Sequence, residues 1–64
     1  MMDMPVEKLA PGVAVRYVGT DWFVPGSLCT VKADYREGGV LISGQLPNGT
    51  PDNELMDWDE VDWP

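Results

Sequence analysis

Four turn signals cut this chain into segments too short for any long helix. Pro11-Gly12, Pro25-Gly26, Gly38-Gly39 and Asn48-Gly49 recur roughly every 10–14 residues. Proline fixes φ and removes a backbone donor, while glycine accepts the positive φ of tight turns, so each pair interrupts regular structure. Between the interruptions, apolar side chains alternate with a period of two. Val13, Val15 and Tyr17 alternate with Ala14, Arg16 and Val18. Cys29, Val31, Ala33 and Tyr35 share one face, and Leu28, Thr30, Lys32 and Asp34 share the other. Val40 and Ile42 alternate with Leu41 and Ser43. A period of two is the signature of a half-buried strand.

The pattern predicts strands over 12–18, 28–35, 40–46, 54–56 and 60–63. Gly44 marks a bulge or bend within the third. Asn48-Gly49 predicts a type I′ hairpin turn before the fourth. Leu55, Trp58 and Val61 recur every three residues, which fits one 3₁₀ turn before the last strand. A helix over 54–63 is the alternative.

Five short strands in 64 residues imply an all-β fold, a single small barrel. Residues 1–8 read as a flexible N-terminal segment and 9–64 as the barrel with an acidic C-terminal end. Leu9 is a candidate plug. The expected core is Val13, Val15, Val31, Ile42, Trp58 and Val61.

The residue types exclude most chemistry. The chain has no histidine and one cysteine, so it has no Ser-His-Asp triad, Cys-His pair or multi-cysteine zinc site. Ser27 and Ser43 have no base, and no Gly-Lys-Thr/Ser follows Gly38-Gly39 to make a phosphate loop. No enzyme activity, cofactor or resident metal is expected. Cys29 has no partner for an intramolecular disulfide. No apolar run reaches the ~18 residues of a membrane span, and residues 1–5 lack the pattern of a signal peptide. The cytoplasm is the expected compartment.

Charge narrows the partners. The formal net charge is −7, from eleven acidic and four basic residues. Residues 52–64 carry six of the acids (Asp52, Glu54, Asp57, Asp59, Glu60, Asp62) and no base. Direct contact with nucleic acid or an anionic membrane is disfavoured, because both require cations.

Three stretches resemble bacterial and phage SH3-like small barrels, including KOW- and Tudor-type relatives. Pro11 to Gly19 looks like their first strand. Pro25 to Val31 looks like their second, entered through a Pro-Gly turn. Met56 to Pro64 is similar to their ending, where a 3₁₀ turn carries an aromatic into the core. The resemblance covers residues 9–64 and implies a five-stranded SH3-like barrel with one short 3₁₀ turn near the C-terminus. Only Asp21-Trp22-Phe23 echoes the acidic-aromatic loop of eukaryotic SH3 domains. The chain also lacks the basic character of RNA-binding KOW domains.

Two segments are candidate partner-binding surfaces. Trp22 and Phe23 are adjacent in a loop, and consecutive extended residues point opposite ways, so one of the two is expected to be exposed. In the resemblance, that loop flanks a groove for extended or Pro-rich segments. The alternative is that one ring caps an end of the barrel. Asp57, Asp59 and Asp62 represent the acidic end. They offer a basic partner a complementary surface, serve solubility alone, or offer carboxylates to calcium without the glycine and length of an EF-hand loop. The expected function is a non-enzymatic SH3-like module that binds a protein partner. The alternative is an acidic inhibitor, encoded by a phage or mobile element, that imitates nucleic acid. A structural subunit of a larger assembly is the third reading.

Overall fold

Strand β1 (Ala14–Tyr17) is followed by β2 (Leu28–Asp34), β3 (Val40–Gln45), β4 (Pro51–Met56) and β5 (Val61–Asp62). Two 3₁₀ turns intervene, Arg36–Gly38 between β2 and β3 and Trp58–Glu60 between β4 and β5. These elements belong to a computed structural model that describes residues 2–64. The chain is all-β, and the expected strands are present with shifted limits. The 3₁₀ turn expected from Leu55, Trp58 and Val61 is present, and the helix over 54–63 is not.

All pairings are antiparallel, in the order β4-β3-β2-β1-β5. The sheet curls into a half-barrel around one core. That order leaves β4 and β5 as its two edges. Val15, Tyr17, Phe23, Val31, Val40, Ile42 and Val61 are almost completely buried. Val13 and Trp58, expected in the core, instead pack against it half-buried.

A bulge changes which face of β2 is buried. Val31 stands opposite Ile42, but Ala33 stands opposite Leu41, so two residues of β2 match one of β3. The extra residue inverts the alternation beyond Val31. Asp34 therefore joins the buried face at 3% exposure, while Tyr35, expected to share the inner face of Val31, is 56% exposed. Burying a carboxylate requires partners. Asp34 accepts hydrogen bonds from the backbone N–H groups of Leu9 and Arg36, each at 2.8 Å, and from Arg36 Nη1 at 2.9 Å.

These bonds also hold the N-terminal segment. The Arg36 guanidinium donates to the Pro5 carbonyl. Met2 donates its N–H to Val61 at 2.9 Å and is 5% exposed. The loose end expected over residues 1–8 is thus tied down at Met2 and Pro5. Residue 1 of that segment lies outside the described residues.

The β3–β4 turn also departs from expectation. Gly49 has φ +89°, but Asn48 is not among the residues of positive φ, which a type I′ turn would require. Gly49 donates to Leu46 O, and Leu46 donates to Thr50 O, each at 2.8 Å. That pattern is a type I turn closed by glycine in a left-handed conformation. It lets β4 begin at Pro51 rather than at Glu54.

Candidate functional site

The loop between β1 and β2 is built around one hydroxyl. Tyr17 is fully buried, and its Oη accepts the N–H groups of Asp21 at 2.9 Å and Trp22 at 3.0 Å. The Tyr17 ring meets Phe23 edge-on, with centroids 5.4 Å apart. Phe23 also lies against Gly44, where a Cβ would come 3.2 Å from its ring. A Cβ at 44 would come nearer still to Cys29 Sγ, at 2.8 Å, so glycine there makes room for both side chains. These contacts fix how Asp21, Trp22 and Phe23 point.

The adjacent aromatics diverge as the extended geometry requires. Phe23 is 1% exposed and belongs to the core, so its placement on a partner surface is corrected: the ring fills the space above Gly44. Trp22 is 38% exposed.

Trp22 borders a groove of about 260 Å³ with Asp21, Gly38, Leu55, Met56, Asp57 and Glu60. The loop after β1, the end of β4 and the second 3₁₀ turn meet here. Two of the expected site residues, Trp22 and Asp57, are thereby brought to one place. Asp59 is exposed and Asp62 half-buried, and neither lines the groove. Asp62 stands opposite Arg16 on the sheet and accepts the Trp63 N–H at 2.8 Å. Trp58 donates its indole N–H to Arg36 O at 2.8 Å, which joins the two 3₁₀ turns.

The groove's lining mixes apolar Trp22, Leu55 and Met56 with the carboxylates of Asp21, Asp57 and Glu60. Leu55 is 55% exposed beside Trp22. Burial raises the Glu60 carboxyl above its ordinary value of 4.5, a hydrogen bond from the Asp57 backbone opposes this, and the charges of Asp21, Asp59 and Asp57 add to the rise. Such crowding is relieved when a cation arrives. Among the described residues, no three acidic or cysteine side chains converge as a metal site requires.

A larger groove, about 510 Å³, is lined by Val24, Leu28, Cys29, Leu46, Pro47 and their neighbours. It has no aromatic and no charged side chain, so it offers little to orient a partner. Asp21, Leu55 and Glu60 were not singled out from sequence. Asp21 adjoins Trp22, and Glu60 belongs to the acidic end. Leu55 was read only in the short fourth strand and in its three-residue spacing with Trp58 and Val61.

No helix among the described residues is long and apolar enough to cross a membrane. No protein-family model matches the chain, and no match is found among curated proteins or solved structures.

Proposed function

We propose that this chain is a non-enzymatic, SH3-like barrel module of the cytoplasm that binds a protein partner through the groove beside Trp22. The observation that carries this reading is the meeting of the exposed Trp22 and Leu55 in one groove with Asp21, Asp57 and Glu60. An indole supplies short-range binding energy, and the acidic side chains supply attraction and orientation. The partner segment is extended and carries positive charge. Asp59 and Asp62 lie outside the groove and act only through the long-range field.

The test begins with a partner isolated from the source cell and then purified. Trp22→Ala should raise its dissociation rate by roughly 30-fold, the equivalent of a hot-spot residue. Reversing Asp57, Asp59 and Asp62 to lysine should mainly slow association. Unchanged dissociation from Trp22→Ala would sink the groove reading. Affinity that collapses between low and moderate salt, with no dependence on Trp22, would mark imitation of nucleic acid instead.

A further inference from the structure

The outer edge of β4 begins at the groove and leads away from it. Pro51, which has no N–H, stands opposite Gln45, one step beyond the Leu46–Thr50 hydrogen bond. Bonded and non-bonded positions alternate along an antiparallel pair. Asp52, Glu54 and Met56 therefore bond into β3, while Asn53 and Leu55 direct their N–H and C=O groups outward. Among the described residues, no other strand pairs with that edge.

The side chains along the edge have a matching order. Asp52 and Glu54 share one face, two residues apart, and Asn53 and Leu55 share the other. Among the described residues, Arg36 pairs with Asp34, and no described cation forms a salt bridge with Asp52 or Glu54. A hydrogen bond with Asp52 raises the Glu54 carboxyl above its ordinary value of 4.5, with desolvation and the Asp52 charge adding to it. Pairing two copies of this edge antiparallel would set these carboxylates against one another, which discourages self-association. A cationic strand in the same place would turn that repulsion into attraction.

We infer that β4 accepts an extended, cationic segment of the partner as a sixth strand, with alternate Lys or Arg side chains against Asp52 and Glu54 and an apolar side chain at the next position, against Leu55. Main-chain bonds to Asn53 and Leu55 supply the ladder, and side-chain alternation supplies the selectivity. The inference rests on the groove reading for where the segment enters, since Leu55 belongs to both the groove and the edge.

The probe is an acetylated peptide of about nine residues that alternates lysine and valine, titrated into the intact chain at moderate salt. Its control has the same residues with alternate amides N-methylated, which removes one edge of donors and keeps every charge. The N-methylated peptide should bind at least about tenfold more weakly. Asn53→Pro, which removes an outward N–H and spares the β3 ladder, should weaken the unmodified peptide similarly. Asp52→Lys with Glu54→Lys should transfer preference to a peptide with glutamate in place of lysine. Equal binding of the N-methylated peptide, or no binding of either peptide, would overturn the inference, even if Asn53→Pro failed to fold. Loss with Trp22→Ala but not with N-methylation would leave the groove standing and the sixth strand refuted. The reverse result would keep the strand and refute the groove.

Discussion

The Asp34 carboxylate, with no exposed side-chain surface, lies 2.9 Å from Arg36 Nη1 and makes that guanidinium a junction. Through it the N-terminal segment at Pro5, the end of β2 and the first 3₁₀ turn are joined. Arg36 has φ +56°, uncommon for a residue with a Cβ. The backbone bond from Arg36 N–H to Asp34 Oδ1 and the indole bond to Arg36 O hold it there.

Asp34→Ala should therefore destabilise the fold by about 3 kcal/mol, because it leaves the Leu9 and Arg36 donors without an acceptor in a buried setting. A chain of this size has only ~3–5 kcal/mol in total. Urea titration followed by circular dichroism should show a largely unfolded or strongly shifted variant. A wild-type midpoint would mean that the pair adds nothing.

Acid should act on stability in two stages. Burial holds the folded-state value of Glu60, and a hydrogen bond with Asp52 that of Glu54, above 4.5, with neighbouring acidic charges adding to both, so keeping them ionised costs stability at neutral pH and the cost is relieved as pH falls through those raised values. Burial pushes the Asp34 carboxyl up, but hydrogen bonds from Leu9 and Arg36 and the Arg36 charge outweigh it and hold the group below 3.8. Its contribution is complete above that value and is lost as pH falls toward the lowered one. The melting temperature should rise modestly from pH 7 to about 5, then fall below about pH 4. A steady fall from pH 7 would contradict the raised carboxyls of Glu60 and Glu54.

Tyr17→Phe removes the acceptor of two backbone donors and leaves the core shape intact. The cost should be about 1–3 kcal/mol. Hydrogen exchange should accelerate at Asp21 and Trp22 more than at Val31. Uniform acceleration would mean that the hydroxyl does not organise the loop.

Trp58→Phe should cost about 1 kcal/mol through the lost bond to Arg36 O, and Trp58→Ala about 3 kcal/mol through lost packing. A Trp58→Phe melt equal to that of the unaltered chain would deny the indole bond.

The strand order of residues was legible because a period of two persisted through Val13–Tyr17 and Val40–Ile42. The identity of the buried face beyond Val31 was not. A bulge at Lys32 has no local signature, since Ala33 and Tyr35 suit a core and Asp34 does not. The distant Leu9 N–H and the neighbouring Arg36 together satisfy the carboxylate as the inner residue. The loop showed a similar limit. Alternation foretold that Trp22 and Phe23 would diverge, but the space above Gly44 decided which went inward. Glu60 and Asp57 stood in the acidic end, yet nothing along the chain placed them beside Asp21. Leu55 read as part of a short strand, and its exposure followed from the register with Leu41.

The most direct measurement is amide chemical-shift mapping of the intact chain with the lysine–valine peptide. The account predicts changes concentrated at Asp21, Trp22, Gly38, Asn53, Leu55, Asp57 and Glu60. Changes centred on Val24, Leu28 and Leu46, or none at saturating peptide, would contradict it.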